Sequence, residues 1–302
     1  MSIYVEILVR APMDALWSHT QMPALHERWD LRFSRIEYLP RKDETEPQRF
    51  VYATRIGFGL EVSGEGETAG RRDSTDGSST SSLTFGSDEA LSLIREGSGY
   101  WKYIPTDEGV RFVTWYDYRT RFGVPGVHFD RLIFRPLIGW ATAWSFDRLR
   151  LWLEQDVDPE HALRQSLIHV ISRVALAAVF AYQGVVPKLL TRNVDEVAML
   201  RDAGLAAGVA GFAVPALGIL ELSFAAALIV AWHRRWPMFV CLALMLLATA
   251  AVGMISPRYF QAAFNPLTLN LSVAGLASID LLVLGHIPSA AHCLRRPSPE
   301  QA

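Results

Sequence analysis

Three long stretches in the second half of this 302-residue chain are almost free of charge. From Ala203 to Trp232 only Glu221 is charged, from Pro237 to Ser256 nothing is, and from Leu267 to Leu284 only Asp280 is. About 20 apolar residues in a row are long enough to cross a bilayer, since a helix rises about 1.5 Å per residue and the hydrocarbon core is about 30 Å thick. A fourth run, LIHVISRVALAAVFAYQGVVPKLL, is interrupted only by Arg173 and Lys188 among its permanently charged positions. The chain therefore reads as a water-soluble front half joined to four membrane helices: Leu167–Leu190, Ala203–Trp232, Pro237–Ser256 and Leu267–Ile287. The second is longer than one crossing needs, so a tilt, a kink near Pro215 or a start outside the hydrocarbon is expected.

Charge separates the halves as sharply as hydropathy does. Residues 1–167 carry 25 acidic and 20 basic side chains, a net of −5. The rest carry 6 and 9, a net of +3, which sums to the −2 of the whole chain. No basic block is large enough for nucleic-acid binding. The two cysteines, Cys241 and Cys293, form no metal-type spacing and argue for neither a structural disulfide nor a zinc site. The opening MSIYVEILVRAPMDALWSH lacks the basic start, apolar core and cleavage site of a signal peptide, so the front half is expected in the cytoplasm of a bacterial inner-membrane protein. Basic residues agree with that orientation. Arg148, Arg150 and Arg164 precede the first membrane helix, Arg234 and Arg235 sit between the second and third, and Arg295 and Arg296 close the chain. Both termini are expected to be cytoplasmic.

Charges at membrane depth are costly and should face the bundle interior with partners. If Leu190 and Ala203 flank one outer turn, Arg173 lies 17 residues inward and Glu221 lies 18. At about 1.5 Å per residue these depths match, so an Arg173–Glu221 ion pair is expected, with Asp280 somewhat nearer the outside. Gln183, Lys188, Asn265 and Asn270 form a second polar group toward the outer end. These groups serve either as polar glue between helices or as a binding or proton-handling site. No long relay of Asp, Glu and His points to a pump.

Several short motifs in the right order resemble the DoxX-like family of small four-helix bacterial membrane proteins. They are Tyr182-Gln183-Gly184 with Pro187-Lys188-Leu189-Leu190, then Gly218-Ile219-Leu220-Glu221, then Phe264-Asn265-Pro266 with Asn270 and Leu276-Ala277-Ser278. The resemblance spans roughly residues 170–287. It implies a four-helix membrane domain, and its namesake is associated with thiosulfate:quinone oxidoreduction. This chain has no cysteine pair, haem ligand set or flavin motif to carry electrons. A redox role would therefore need a partner subunit that brings the cofactor.

The front half begins with a β-rich segment, Ile3–Arg10, followed by a helix through Trp17 and a second short helix, Met22–Trp29. Between Arg49 and Val62, Phe50, Tyr52, Ile56, Phe58, Leu60 and Val62 alternate with Arg49, Arg55 and Glu61, the period of a half-buried strand. Further strands are expected at residues 81–85, 91–96, 99–104 and 109–121, with a Ser/Asp/Gly-rich loop over 71–82. Arg131–Leu153 reads as a long amphipathic helix, with Ile133, Leu137, Trp140 and Trp144 at helical spacing. This order, with the opening Val9-Arg10-Ala11-Pro12 before a helix containing Trp17, resembles the SRPBCC superfamily of START-like and polyketide cyclase-like domains over about residues 1–154. The resemblance implies a helix-grip α+β fold with an apolar cavity between sheet and long helix.

Expected cavity residues are Trp29, Tyr52, Phe58, Trp101, Trp115, Tyr116 and Trp140, with core filling as the alternative role. His19, His26 and His128 show no triad or metal spacing, and Glu61, Glu65 and Asp117 would act as acid or base only if buried. No catalytic residue, metal site or self-sufficient enzyme is expected. The domain layout is a START-like domain at 1–154, a linker at 155–166, a DoxX-like domain at 167–290 and a cytoplasmic tail at 291–302. The leading functional expectation is a cytoplasmic START-like domain that binds a hydrophobic small molecule (a lipid, quinone or polyketide-like compound) beside the bilayer. The alternatives are a membrane subunit of a quinone-linked oxidoreductase complex and an anchor without ligand.

Overall fold

The alternating start forms β1 (Ile3–Val9), whose Ile3, Val5, Ile7 and Val9 are all buried on one face. The computed structural model describes residues 2–43, 46–57 and 59–297. After β1 come two short helices, α1 (Met13–Gln21) and α2 (Pro23–Trp29). Six strands follow: β2 (Arg35–Tyr38), β3 (Gln48–Gly57), β4 (Leu60–Asp73), β5 (Ser79–Gly86), β6 (Ile94–Thr106) and β7 (Gly109–Thr120). All pair antiparallel in one seven-stranded sheet of order β1-β7-β6-β5-β4-β3-β2.

A helical arm then leads from α3 (Gly123–Phe129) through a π-helical turn (Asp130–Phe134) into α4 (Arg135–Gln155). Ala143, Phe146 and Leu149 of α4 join Val5, Trp29, Trp101, Tyr103 and Phe112 in the core. A long helix gripped by a curved antiparallel sheet is the expected helix-grip fold. The stretch at 49–62 is two strands of a hairpin rather than one, because Gly57 and Gly59 take positive φ (94° and 76°) and reverse the chain. The expected loop at 71–82 shrinks to the turn at 74–78, since β4 and β5 stay paired out to Asp73 and Ser79.

The membrane half runs α5 (Pro159–Gln183), a π-helical turn (Gly184–Leu190), α6 (Val194–Asp202), α7 (Ala207–Val230), α8 (Trp236–Ile255) and α9 (Pro266–Val283). Four of its helical stretches are long and apolar enough to cross a membrane: Pro159–Leu190, Ala207–Val230, Trp236–Ile255 and Pro266–Val283. Leu176, Phe180, Leu228, Met238, Cys241, Val273 and Ala277 form their shared core.

The chain divides into two compact units, one of them Leu163–Ile287. The other joins the described residues up to Ala162 with residues 288–297, which therefore do not form a separate tail. Leu294 exchanges two backbone hydrogen bonds of 2.9 Å with Glu6 on the open edge of β1. The Ser289 N–H and the His292 Nδ1 reach the buried Asp147 carboxylate of α4 at 2.7 and 2.8 Å, and the Cys293 Sγ–H donates to the Ala143 carbonyl. The expected linker is likewise mostly helix, with Asp158 capping α5 by accepting from the Glu160 and His161 N–H groups.

Candidate functional site

In the first unit, the inner face of the sheet alternates glycine with aromatic residues across neighbouring strands. Tyr52 pairs with Gly64, Phe50 with Gly66, Phe85 with Gly97 and Tyr116 with Gly99. A Cβ on Gly66 would collide with the Phe50 ring, and one on Gly97 would lie 2.5 Å from the Phe85 ring. The rings therefore lie flat over the glycines and make an aromatic floor instead of standing into the space above. Phe33 extends the floor, its ring 5.6 Å from Tyr52. Phe33, Phe50 and Phe85 are only half-buried, so α4 leaves this end of the face partly open.

A charged group sits beside the floor. Asp30, with its side chain fully buried, accepts from Arg32 Nε (2.9 Å) and Nη2 (2.6 Å), and from His26 Nε2 (3.1 Å). The Arg32 guanidinium lies 5.4 Å from the Phe33 ring and 5.6 Å from the Tyr116 ring. Tyr116 Oη shares a 2.9 Å hydrogen bond with Thr142 of α4. Burial alone would raise the Asp30 pKa, but the Arg32 charge and its two hydrogen bonds outweigh that and hold the carboxyl well below its usual range. Burial lowers the His26 pKa, opposed only in part by Asp30, so the imidazole is held toward its neutral form.

Four of the expected cavity residues lie in this interior: Trp29, Tyr52, Trp101 and Tyr116, all buried. Trp29 and Trp101 pack among Phe112, Phe146 and His26 and fill the end near α2. Trp115 points to the other face of the sheet, stacked on Tyr100, because strand neighbours alternate sides. Trp140 is 44% exposed. The side of α4 that meets the sheet uses Gly139, Thr142 and Ala143, small enough for the helix to approach where an indole would not fit. Phe58 lies outside the described residues. Glu65 pairs with Arg49 and Asp117 with Arg135, and Arg49, Glu65 and Asp117 line an open hollow of about 830 Å³. Glu61 pairs with Arg55. Residue order alone obscured Arg32 and Phe33, which sit in a short loop. The i,i+4 spacing of His26 and Asp30 on and just past α2 was the available signal.

The membrane unit holds two polar clusters, and neither is the expected Arg173–Glu221 pair. Arg173 is fully buried and donates through Nε to Asp280 (2.9 Å), through Nη1 to the Leu228 and Ala231 carbonyls (both 3.1 Å), and through Nη2 to the Arg234 carbonyl (2.5 Å). It thus caps the C-terminal end of α7 from a neighbouring helix. His169, one turn earlier on α5, meets the other Asp280 oxygen through Nδ1 at 2.6 Å. Glu221 pairs instead with Lys188 Nζ at 3.1 Å, and Lys188 also donates to Glu196 of α6 at 3.0 Å.

The expected pair fails on depth. Arg173 reaches Ala231, and Glu221 lies ten residues earlier on α7 (231 − 221), about 15 Å along the helix axis. The matching assumed one simple outer turn, but α6 occupies the connection and α7 begins only at Ala207. Lys188 lies in the π-helical turn that contains Pro187, which has no N–H to offer, and such turns recur at functional positions. Backbones cross closely here: a Cβ on Gly184 would lie 2.6 Å from the Gly218 carbonyl. Gln183 is half-buried at the end of α5, Asn265 caps α9 by accepting from the Thr268 N–H, and Asn270 donates to Thr249. These three do not join Lys188 in one group. Among the described residues, no cluster of three His, Cys, Asp or Glu is arranged to hold a metal.

The two units define the class: a membrane protein with a helix-grip α+β domain ahead of four apolar helices. Residues 177–278 match the DoxX-like family. YndG, an uncharacterised membrane protein of Bacillus subtilis (strain 168), is 52% identical over 183 residues, 60% of this chain and 68% of YndG. The chain belongs to the same family as YndG. Among solved structures, the first half is similar to TTHA0849 from Thermus thermophilus (15% identity, TM-score 0.40, 52% of this chain and 100% of that one). It is also similar to a STAR-related lipid transfer protein from Xanthomonas axonopodis (16%, 0.39, 50% and 85%) and to the ZhuI aromatase/cyclase of a Streptomyces species (12%, 0.37, 51% and 96%).

Proposed function

We propose that the helix-grip unit binds one hydrophobic small molecule bearing an oxygen function, such as a lipid or quinone, at the edge of the bilayer. The observation that supports this is the half-open aromatic floor laid over glycines, with Arg32 and Tyr116 beside it. Ligand sites are mostly apolar, with a few converging polar groups that orient the molecule. Flat rings would line the apolar body, while the Arg32 and Tyr116 donors would address the oxygen. Only three residues separate α4 from α5 along the chain. Four spans among the described residues and the docking of residues 288–294 on the helix-grip unit support termini on one side, and Arg234 and Arg235 favour the cytoplasmic side.

The test is native mass spectrometry of the full-length protein in detergent, with identification of retained molecules. Wild type is expected to keep about one apolar molecule per chain, in the range ordinary for a single pocket. Tyr116→Phe, which keeps the ring and loses the hydroxyl, should retain less, and Gly66→Leu, which covers the floor, should retain least. A wild-type chain that is bare in repeated preparations overturns the reading.

A further inference from the structure

The arm that links the sheet to α4 presents apolar side chains to its surroundings on nearly every turn. Val124 is 70% exposed, Leu132 72%, Leu137 56% and Trp140 44%. No described residue of the helix-grip unit therefore covers this surface. Its charges are few and of one sign. Asp130 is buried, bonded to Arg135 Nε at 2.7 Å and to the Tyr118 hydroxyl at 2.6 Å, so Arg131 is the fixed charge left on the exposed surface of 122–140. The docked end of the chain adds a second cation beside it, with Arg295 Nη2 donating to the Pro136 carbonyl at 3.3 Å.

From these observations we propose that residues 123–140 form an interfacial membrane-docking arm, its apolar turns sunk among the headgroups and upper acyl chains and Arg131 and Arg295 facing anionic phosphates. Two features favour a bilayer over a protein partner. The apolar residues surround the arm instead of forming one flat stripe, as immersion allows and a protein groove does not. The flanking charge is positive, matching the anionic cytoplasmic leaflet. At 18 residues with Asp130, Arg131 and Arg135 inside it, the arm is too polar to span. Docking would hold the helix-grip unit against the surface whether or not its interior carries a ligand.

The test uses the wild-type full chain in nanodiscs of phosphatidylcholine and phosphatidylglycerol, with a phospholipid carrying a diazirine near the glycerol end of one acyl chain. After illumination, peptide mapping should find carbene adducts within 123–140 as well as in the four spans, and a severalfold lower yield at the exposed β6–β7 turn around Asp107. Leu132→Asp with Leu137→Asp, both on the exposed surface, should lower the arm's yield to that of the turn while leaving the spans unchanged. Adducts confined to the spans overturn the proposal. So does an arm whose adduct yield is no higher than that of the β6–β7 turn.

Discussion

The two units contain the same three kinds of side chain, a carboxylate shared by an arginine and a histidine, built in opposite ways. In the helix-grip unit His26, Asp30 and Arg32 fall within seven residues, on helix α2 and the loop that follows it. In the membrane unit Asp280 is 107 residues from Arg173, and only the packing of α5 against α9 joins them. The local cluster keeps contact with water, since the Arg32 side chain is 13% exposed. The distant one has none: the side chains of Arg173 and Asp280 are both 0% exposed. The solvent around an ion cluster, more than its composition, should therefore set how much its loss costs.

Removing one carboxylate from each cluster tests this most strongly. Asp280→Asn should destabilise the protein by about 3–5 kcal/mol, because it leaves the Arg173 charge buried without a counter-ion. Replacing Arg173 and Asp280 together by leucine should recover part of that loss, though not all, since the Leu228, Ala231 and Arg234 carbonyls lose their donor. Unfolding of the detergent-purified protein by heat or denaturant measures both. Asp30→Asn should cost less, about 1.5–3 kcal/mol, the range for a hydrogen bond to a charged group. Equal losses at the two sites would break the comparison.

Glycine contacts sharpen it further. Gly184→Ala drives a Cβ into the Gly218 carbonyl, which belongs to a helix backbone and cannot swing aside. Gly66→Ala meets the half-buried Phe50 ring first, which can move, although the Thr84 carbonyl lies 2.7 Å away. Overpacking costs about 1–3 kcal/mol, and Gly184→Ala should fall at the upper end and Gly66→Ala at the lower. Thermal midpoints of the two variants decide the order.

The smallest effect is one of pH and concerns the helix-grip unit. Burial holds the His26 pKa below its unfolded value, so on acidification the unfolded chain takes up the proton first. Stability is then lost as pH falls below about 6.5, with a slope of at most about 1.4 kcal/mol per pH unit for one proton. The depressed Asp30 acts lower, its contribution present above about pH 4 and lost as pH drops toward its folded value. His26→Phe keeps the ring contacts with Trp29 and Trp101 and should flatten the profile between about pH 5 and 7. An unchanged slope in that variant would show that another group carries it.

How much of this was readable in advance depends on the range of the interaction. The four spans follow from charge-free runs of sufficient length, since each residue adds its own transfer cost regardless of its neighbours. The strands and short helices of the front half follow from local period and from turn residues, with errors where two glycines reverse the chain at 57–59 or where pairing extends strands into a polar stretch. Lys188 and Glu221 were both recognisable as buried charges within family-like motifs, but their pairing was not. Which charges meet depends on helix register, which local pattern does not carry, and the expected depths were off by about ten residues. Trp140 shows the same limit: helical spacing identified a stripe, yet the sheet accepted the small residues Gly139 and Ala143 and left the indole outside. By itself the sequence determined the class of this protein, two units of which one is membrane-embedded, because hydrophobic length and period are local sums. Tertiary structure alone decided the partners of Arg173 and Glu221, the glycine-backed aromatic floor and the return of the chain's end to β1, because each depends on which distant surfaces pack together.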